Sequence, residues 1–396
     1  MITVTEAKEI IQQQLFEKKI VRQPVFQSVN KILAEDVHAL VDIPSFNQSS
    51  MDGYAFAFQE TAQARPLKVV EEVPAGKQEI LRISEGTAAR IFTGAALPQD
   101  TDTVVMQELV ALNGIDLTVL DKNLVKGQNV RVKGAEIEKG ECALKKGTYL
   151  SPATIGFLSA IGVAEVATFA SPVVSIIITG DELQMPGEEL SHGQVYEASS
   201  SMLQAALFQM GIRDVIIYYA KDTLEDTTAI LAKALISSDL ILLTGGVSVG
   251  DYDFVVKAAA LCGIDQLFHR LKQRPGKPLF FGRKGNKPVF GLPGNPSSVL
   301  TCFYEYVWPV LRRFEGHEDT LRTLKAPLGA PYTKTNQLTH FLKGTYKEGK
   351  VEILPGQESF RLRSFAEANC IVALGEEMKS YMRDELVEVH LIPLYG

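Results

Sequence analysis

The sequence of 396 residues predicts a multidomain α/β plus β protein. We expect a three-layer α/β domain with a parallel sheet within 171–320, small β-rich domains before it, and a C-terminal β domain at 321–396. The chain is too long for one ordinary domain, so several domains are expected. Apolar runs of strand length alternate with helical patterns in the central segment, which is typical of a parallel sheet. Short apolar runs with frequent turn residues fill the flanking segments and indicate small β domains.

The chain is expected to begin with a helix. Residues 1–20 carry apolar residues at helical spacing, and Thr5 is the expected N-cap. A second helix is predicted at 151–162, where Pro152 suits a first helical turn.

The strands between these two helices divide into two predicted domains. Residues 21–39 and 140–170 are assigned to a linker or dimerisation domain, and 40–139 to a β-rich domain. Residues 1–20 are assigned to the α/β domain together with 171–320.

The α/β domain is predicted from alternating patterns. The run SPVVSIIITGDEL at 171–183 is rich in β-branched residues and suits a strand buried on both faces. The later predicted strands are DVIIYYA, DLILLTGG and KPVFGL. The predicted helices are SSSMLQAALFQMG, TLEDTTAILAKALIS with Thr223 as N-cap, DFVVKAAALCG, and SSVLTCFYEYVWPVLRRF.

Composition excludes several classes of function. A net charge of −7 argues against nucleic-acid binding, which requires clustered Lys and Arg. Histidines show no zinc-binding spacing. The apolar runs are too short to cross a membrane, and no signal peptide is recognisable, so a cytoplasmic protein without membrane association is expected. Four separated cysteines are expected to be reduced thiols: Cys142, Cys262, Cys302 and Cys370.

Three unusual loops follow predicted strands at the edge where ligands bind in open parallel sheets. They are TGDEL at 179–183, TGGVSVGDYD at 244–253 and GLPGNPSS at 291–298. Glycines free backbone N–H groups for close approach, and the helix beginning near Ser297 adds positive partial charge. Prolines keep the third loop rigid. The second and third loops therefore predict a cradle for phosphate or another oxyanion.

Acidic residues beside such a cradle predict a divalent cation, with Mg²⁺ as the usual choice. The acidic candidates are Glu182, Asp251 and Asp253. The turn RPGKP at 274–278 adds two cations that offset the charge of an anionic ligand. Alternatives remain at single positions, because a Gly-Gly sequence can be only a tight turn, and Asp181 or Asp251 can be only an N-cap. The absence of a Walker A motif disfavours a P-loop NTPase.

Two further motifs lie in the N-terminal half. In PSFNQSSMDGYAF, Asp52 is a candidate acid facing a site, although an ordinary Asx-type turn with Gly53 at positive φ also explains the motif. In IFTGAALP, Thr93 and Gly94 again end an apolar run.

Seven ordered motifs closely resemble the MoeA family of molybdopterin molybdenumtransferases. The motifs are SSMDGYA, IFTGAALP followed by DTVVMQE, KGAEIEKG, TGDEL, GGVSVGDYD, RPGKP and GLPGNPSS. The resemblance covers nearly the whole chain, and relatives of the family include the E domains of gephyrin and of a plant homologue. It implies that the α/β domain resembles the MogA and MoaB proteins.

The resemblance also implies an activity and partners. The activity is Mg²⁺-assisted hydrolysis of adenylyl-molybdopterin with insertion of molybdate into the dithiolene, giving molybdenum cofactor and AMP. The implied assembly is an elongated homodimer of four-domain subunits, whose cleft combines the α/β domain of one subunit with the SMDGYA-bearing domain of the other. The implied partners are molybdopterin adenylyltransferase and apo-molybdoenzymes or their chaperones.

The resemblance assigns roles to residues that match the family motifs. The catalytic residues are Asp52, Thr93, Glu182 and Asp253. The substrate-binding residues are Gly245, Gly246, Ser248, Gly250, Lys277, Pro293, Gly294, Pro296 and Ser297. The molybdate-binding residues are Arg274, Lys277, Pro278, Ser297 and Ser359. The metal ligands are Glu182, Asp251 and Asp253.

Several site positions depart from the family pattern. Glu136 replaces an aspartate, Glu197 and Ser199 stand in a stretch that loses an asparagine, and Arg274 replaces a lysine. In QLTHFLK an arginine is lost at Leu338, and Lys343 remains.

These departures support an alternative function, a catalytically weakened paralogue that serves as a molybdopterin-binding carrier or scaffold. A third interpretation, a molybdopterin adenylyltransferase, is suggested by the α/β domain alone. The long N-terminal half and SMDGYA disfavour it.

Overall fold

The computed structural model describes residues 1–59, 65–246, 254–318 and 321–393. The chain forms two compact units. The large unit comprises 1–21 and 169–396, and the inserted unit comprises 22–168. Within the described residues, no helix has both the length and the apolar character needed to cross a membrane. The division into four domains stays a prediction.

The first helix begins two residues earlier than the sequence suggested. Helix α1 spans Val4–Gln12, and the Thr3 Oγ1 accepts a hydrogen bond from the Glu6 backbone N–H at 3.1 Å. The Glu6 carboxylate in turn accepts from the Thr3 backbone N–H at 2.7 Å. The expectation of Thr5 as N-cap is therefore wrong, because the reciprocal capping box requires Thr3 and Glu6 three residues apart.

Helix α1 also ends earlier than the 1–20 pattern predicts. The Arg313 guanidinium donates to the carbonyl oxygen of Ile11 at 3.1 Å and to that of Gln14 at 2.7 Å. Phe16 then stacks on Phe314 with ring centroids 5.3 Å apart. The Arg313 hydrogen bonds satisfy carbonyls at the end of the helix, which stops at Gln12 with Gln13 as its C-cap.

The inserted unit is rich in short strands, as predicted. The strands from residue 20 to 169 are β1 Ile20–Pro24, β2 Val37–His38, β3 Gln48–Ser49, β4 Gly53–Phe56, β5 Leu67–Val73, β6 Thr87–Ile91, β7 Thr103–Met106, β8 Val110–Asn113, β9 Asp116–Val119, β10 Val130–Arg131, β11 Cys142–Leu144 and β12 Glu165–Phe169. Six of them form a sheet in the order β7-β4-β6-β5-β9-β8. Helix α2, Pro152–Ala160, confirms the second predicted helix, with Pro152 in the first turn and Ser151 as N-cap.

The α/β domain of the large unit contains the predicted alternation. Its strands are β13 Val174–Thr179, β14 Leu183–Gln184, β15 Val195–Tyr196, β16 Val215–Ala220, β17 Leu240–Thr244, β18 Asp265–His269, β19 Gln273–Arg274, β20 Phe280–Lys284 and β21 Lys287–Leu292. Its helices are α3 Ser199–Gln209, α4 Leu224–Ser237, α5 Phe254–Leu261, α6 Pro296–Cys302 and α7 Trp308–Phe314, with a π-helical segment at Phe303–Val307. Thr223 caps α4 as predicted, because its Oγ1 accepts from the Asp226 N–H.

The sheet of this domain combines the predicted parallel strands with an antiparallel hairpin. The strand order is β16-β13-β17-β21-β20-β18, and β20 runs antiparallel to both neighbours. Only Gly285 and Asn286 separate β20 from β21. A connection of two residues can join only antiparallel strands, so this hairpin reverses the chain.

Helices cover both faces of the sheet, which gives three layers. Strands β13 and β17 are buried along their whole length. Ile176 and Leu242 belong to a core shared with α1, α3 and α7, whereas Ile177 and Leu243 pack with α4 and α5. The central strands therefore present their carboxyl ends, and the loops that follow, at one edge of a rigid layer.

The C-terminal part of the large unit is a β domain, as predicted. Its elements are β22 Thr323–Pro327, β23 Tyr332–Thr333, β24 Thr339–Lys347, β25 Lys350–Ile353, α8 Arg363–Glu367, β26 Cys370–Leu374, β27 Ser380–Tyr381 and β28 Leu386–Leu391. The main sheet has the order β19-β24-β26-β28-β22, and β25 pairs with β24. Because β19 carries Gln273 and Arg274, this sheet holds the beginning of the RPGKP turn.

A buried ionic cluster joins three elements of the large unit. Glu305 lies in the π-helical segment, and its carboxylate is 2.7 Å from Lys8 Nζ and 2.6 Å from His390 Nδ1. The other imidazole nitrogen of His390 is 2.7 Å from the Glu388 carboxylate. Both ring nitrogens face carboxylate oxygens, so the ring is doubly protonated. Burial opposes this charge, but Glu305 and Glu388 raise the pKa of His390 to about 9. Burial also opposes ionisation of Glu305, yet Lys8 and His390 lower its pKa to about 2.

Candidate active site

A cleft of about 870 Å³ lies at the carboxyl edge of the α/β sheet. The described parts of all three predicted loops line it: those after β13, β17 and β21. The turn 274–278 and residues 357–360 of the C-terminal β domain also line it, as do residues 195–199, Asp222, Gln273 and Leu338. The structure thus brings together the glycine loops and the cationic turn that the sequence analysis singled out.

The loops after β13 and β17 approach each other too closely for any side chain at Gly245. Gly245 has φ +85°, and a Cβ added there would lie 2.6 Å from the Thr179 carbonyl oxygen and 2.7 Å from Thr179 Oγ1. The Thr179 hydroxyl donates to the Thr244 carbonyl at 3.2 Å. A Cβ at Gly294 would lie 3.8 Å from the Gly245 Cα, so the third loop is also adjacent. Backbone, rather than side chains, therefore forms this wall of the cleft.

Carboxylates form one side of the cleft. Glu182 follows β13, and Asp222 follows the neighbouring strand β16; both line the cleft. Partial burial raises the pKa of Asp222, and the negative charges of Glu182 and Asp181 raise it further. Asp181 Oδ1 also accepts a hydrogen bond from the Asp222 backbone N–H at 3.3 Å. Negative charge is therefore concentrated at this edge of the sheet.

Asp222 is a site residue that the sequence analysis missed. The strand DVIIYYA was predicted, and ligands bind beyond the carboxyl ends of such strands. The loop after this strand gave no signal, however, because it lacks the glycines found in the other three loops.

The cationic turn lies in the same cleft. Arg274, Lys277 and Pro278 line the cleft, and the two cationic side chains are exposed. Between them, Gly276 has φ +80°, a conformation that favours glycine. Exposed cations on a turn seated in this way are suited to bind an anion.

The third loop is linked to the C-terminal β domain. Asn295 Nδ2 donates to Ser359 Oγ at 2.9 Å, and both residues line the cleft together with Pro293 and Pro296. Ser359 therefore stands beside the other predicted anion-binding residues.

Ser297 occupies a different position from Ser359. It is fully buried, and its hydroxyl accepts from Lys343 Nζ at 3.2 Å, whereas Ser298 lines the cleft. Lys343 also donates to the carbonyl oxygens of Gly356 at 2.8 Å and Arg361 at 3.0 Å. This lysine therefore ties the start of α6 to the loop that carries Ser359. The role of Ser297 in binding stays a prediction.

Four of the positions that depart from the family pattern line the cleft: Glu197, Ser199, Arg274 and Leu338. Glu197 is buried, and its carboxylate accepts hydrogen bonds from the backbone N–H and the hydroxyl of Ser200. It therefore satisfies donors at the start of α3. Glu136 lies in the inserted unit and is exposed.

In the inserted unit, the structure brings together the two residues that the sequence analysis singled out there. Asp52 Oδ1 accepts from both the backbone N–H and the hydroxyl of Thr93, each at 2.8 Å. These two hydrogen bonds lower the pKa of Asp52, which stays ionised. The alternative that placed Gly53 at positive φ is wrong. A Cβ at Gly53 would lie 1.9 Å from the Val105 carbonyl oxygen, so strand pairing excludes a side chain there.

Four predicted site residues lie outside the described residues: Ser248, Gly250, Asp251 and Asp253. Within the ranges that the structure describes, no three His, Cys, Asp or Glu side chains are grouped so that they could hold a metal ion. Of the predicted metal ligands, only Glu182 is therefore placed, and the ligand set stays a prediction.

The fold and the cleft define a class of protein: a multidomain α/β plus β protein whose α/β domain combines carboxylates, cations and glycine loops at one sheet edge. Models of three protein-family segments match almost the entire chain. They are the MoeA N-terminal region, domains I and II, over 2–162; a probable molybdopterin binding domain over 175–313; and the MoeA C-terminal region, domain IV, over 325–392. The chain belongs to the MoeA family, and the resemblance seen in the motifs is confirmed.

Curated relatives and a solved structure support the same assignment. A molybdopterin molybdenumtransferase of Staphylococcus aureus is 31% identical, with 98% of this chain and 95% of the relative covered. One from Haemophilus influenzae is 31% identical, with 98% of each chain covered. The crystal structure of a molybdopterin biosynthesis MoeA protein from Pyrococcus horikoshii covers 100% of both chains with a TM-score of 0.88 and 32% identity. The chain is accordingly an enzyme, a transferase of this family.

Proposed function

We propose that this protein is a molybdopterin molybdenumtransferase of molybdenum cofactor biosynthesis. It hydrolyses adenylyl-molybdopterin in a Mg²⁺-dependent step and inserts molybdate into the dithiolene, giving molybdenum cofactor and AMP. One observation carries the proposal: a single cleft is lined by the carboxylates Glu182 and Asp222 and by the cations Arg274 and Lys277. The curated relatives, which match this chain over nearly their full length, are named molybdopterin molybdenumtransferases, and this supports the transfer of molybdenum to molybdopterin.

The substrates require both kinds of charge. Molybdate is a tetrahedral oxyanion, and Arg274 and Lys277 provide charge-assisted donors for it. The phosphoanhydride of adenylyl-molybdopterin needs a wall that it can approach closely. Gly245, Gly246 and Gly294 provide this wall, because none of them carries a side chain.

The acidic side of the cleft fits a hard divalent cation. Glu182 and Asp222 are oxygen donors. Burial is the main cause of the raised pKa of Asp222, and the negative charges of Glu182 and Asp181 add a repulsion that a cation would relieve. We include Asp251 and Asp253 from the loop after β17 in the same ligand set. Bound there, Mg²⁺ would neutralise charge on the phosphoanhydride oxygens as the bond to AMP breaks.

The bond changes balance without an oxidant or reductant. Water adds to a phosphorus of the phosphoanhydride, the phosphorus–oxygen bond breaks, and AMP and the molybdopterin phosphate separate. Two dithiolene thiols then replace one oxo group of molybdate, which leaves as water with the two thiol protons. The chain's own contribution is to orient both anions with Arg274, Lys277 and the glycine backbone.

Asp52 and Thr93 are proposed as further catalytic residues. The two hydrogen bonds that Asp52 accepts from Thr93 support a fixed, ionised carboxylate at Asp52.

The protein is proposed to act as a homodimer. The class of partner that supplies the substrate is an adenylyltransferase acting on molybdopterin. Apo-molybdoenzymes or their chaperones receive the product.

The test supplies the purified protein with adenylyl-molybdopterin, Mg²⁺ and molybdate. AMP release is measured together with the activation of an apo-molybdoenzyme. We expect both signals, and both should be lost when Mg²⁺ is chelated. Binding without AMP release would refute the transferase and favour the carrier or scaffold function. Formation of the adenylate from ATP and molybdopterin would favour an adenylyltransferase.

A matched pair of variants tests the acidic side. Glu182→Gln should lower AMP release by about 10²-fold or more, because a carboxylate that acts on the reacting group is lost. Glu189→Gln makes the same change at an exposed position between β14 and β15, outside the lining of the cleft, and should retain activity. Equal activity of the two variants would contradict the assigned role of Glu182. Unchanged circular dichroism would establish that both variants fold.

A further inference from the structure

A buried polar side chain lies directly behind the cationic turn. Gln273 is fully buried, and its Nε2 donates to the carbonyl oxygens of Pro275 and Gly276, both at 3.1 Å. Its Oε1 accepts a hydrogen bond from the Tyr306 hydroxyl. The side chain of Gln273 therefore connects the core of the large unit to the two peptide groups at the centre of the turn.

The turn has no room to move toward this side chain. A Cβ added at Gly276 would lie 2.5 Å from Cys302 Sγ and 2.8 Å from Gln273 Nε2. The backbone of Gln273 is also fixed, because it pairs with Thr339 in the β19–β24 ladder. The turn is thus seated on Gln273 and Cys302, and a change in either side chain acts on its backbone.

Tyr306 is well placed to hold Gln273 in one orientation. It lies in the π-helical segment Phe303–Val307 and is 1% exposed. Burial, together with the nearby Cys302 and Glu305, raises its pKa well above the ordinary value. The phenol therefore stays protonated and remains a donor, so Gln273 must direct its oxygen to Tyr306 and its NH₂ to the turn.

This orientation matters for an anion because peptide carbonyls carry negative partial charge. Pro275 and Gly276 lie between the two cations, Arg274 and Lys277. Without the Gln273 amide, the carbonyl oxygens of Pro275 and Gly276 would lose their hydrogen-bond donor. They would then be free to turn toward a bound oxyanion and would repel it. The amide holds these oxygens and leaves the cations as the dominant charge of the turn.

We infer that Gln273 and Tyr306 are positioning residues that set the affinity of the cleft for an oxyanion. The choice of molybdate as that oxyanion rests on the proposed function. Both residues act through the backbone of the turn, so the expected effect is on binding and not on the rate of bond breaking.

The experiment uses two variants of the full-length protein. Gln273→Met retains the shape of the side chain and removes both the donor and the acceptor, and Tyr306→Phe removes only the hydroxyl. Ser175→Ala is the matched control, because it removes a buried hydroxyl that bonds Ser238 in the same α/β domain, outside the lining of the cleft. Two readouts are taken: hydrogen exchange of the Gly276 and Lys277 backbone amides, and the molybdate Kd from calorimetry.

We expect faster exchange at both amides in Gln273→Met and a molybdate Kd raised about tenfold, which corresponds to about 1.4 kcal/mol. Tyr306→Phe should raise Kd by a smaller factor, about threefold, since Gln273 keeps its donor. In steady-state assays KM for molybdate should rise while kcat stays near the wild-type value. Ser175→Ala should leave exchange at these amides, Kd and KM unchanged.

The outcomes separate the inference from the proposed function. Wild-type exchange rates in both variants would overturn the positioning role, whatever the protein binds. Faster exchange with an unchanged Kd would overturn the link to anion affinity. A wild-type protein that binds no molybdate would instead refute the proposed substrate, and the inference about affinity would fall with it.

Discussion

Replacement of Glu305 by Gln tests the buried ionic cluster of the large unit. The change keeps the shape of the side chain but removes the negative charge that lies 2.6 Å from His390 and 2.7 Å from Lys8. The rise of the His390 pKa from 6.5 to about 9 corresponds to about 3 kcal/mol of favourable interaction with the imidazolium. We therefore expect Glu305→Gln to lower the free energy of unfolding by about 3 kcal/mol near pH 6, in the range for breaking a buried ion pair.

The loss should depend on pH in a definite direction. Because folding raises the pKa of His390, its contribution is fully present below pH 6.5 and is lost as pH rises through about 9. Folding lowers the pKa of Glu305, so its contribution is present above pH 4.5 and is lost as pH falls toward about 2. The difference between wild type and variant should therefore be largest between these limits and should shrink at about pH 9.5.

Urea unfolding followed by tryptophan fluorescence measures this difference. Trp308, the one tryptophan of the chain, is buried and directly follows the π-helical segment that holds Glu305. Glu388→Gln is the control, because the Glu388 side chain is 52% exposed and its removal should cost less than about 1 kcal/mol. An equal loss in Glu305→Gln at about pH 6 and at about pH 9.5 would refute the electrostatic reasoning.

Three further predictions concern the cleft and the inserted unit. Gly245→Ala should lower both Tm and AMP release, and it should reduce the free energy of unfolding by at least about 2 kcal/mol. Residue 245 has a positive φ, and its added Cβ would clash with Thr179. An unchanged Tm would contradict the close approach of the two loops. Thr93→Val should raise the pKa of Asp52 toward its ordinary value in an NMR titration, because only the backbone hydrogen bond remains, whereas Thr93→Ser should keep it low. Gly53→Ala should lower the free energy of unfolding by about 3 kcal/mol or more, measured by chemical denaturation. The reason is that a Cβ at this position would lie 1.9 Å from the Val105 carbonyl oxygen of the facing strand. A variant as stable as the wild type would show that β4 and β7 can separate.

Local signals made much of the fold predictable. The Thr223 cap needs only the hydroxyl and an N–H three residues later, and the strand KPVFGL coincides with β21 at Lys287–Leu292. The N-terminal helix shows the limit of such signals. Thr3 and Thr5 both suit an N-cap, and the reciprocal bond with Glu6 decides between them. Its C-terminal end depends on Arg313, about three hundred residues away, which no local pattern reports.

Parts of the candidate site depend on contacts that are distant in sequence. The three glycine loops were predicted to meet because parallel strands share one carboxyl edge, and they line a common cleft. Asp222 was missed because glycine was used as the marker, and its loop has none. No local pattern indicated the role of Gln273, because its partners are distant in sequence. Cys302 lies 29 positions after Gln273, and Tyr306 lies 33 positions after it.

The order in which the chain is made has a consequence for helix α1. The ribosome produces Val4–Gln12 well before Glu305, which binds Lys8 of this helix from 297 positions later, and before Arg313, whose guanidinium caps the helix. The inserted unit can complete its own contacts meanwhile, since 22–168 is synthesised before the second segment of the large unit. The apolar face of α1, with Ala7 and Ile11, therefore emerges before all the other segments of its core, which begin at Val174. A nascent chain of this protein therefore carries α1 without its ionic partner and without the guanidinium that caps it until Glu305 and Arg313 have been synthesised.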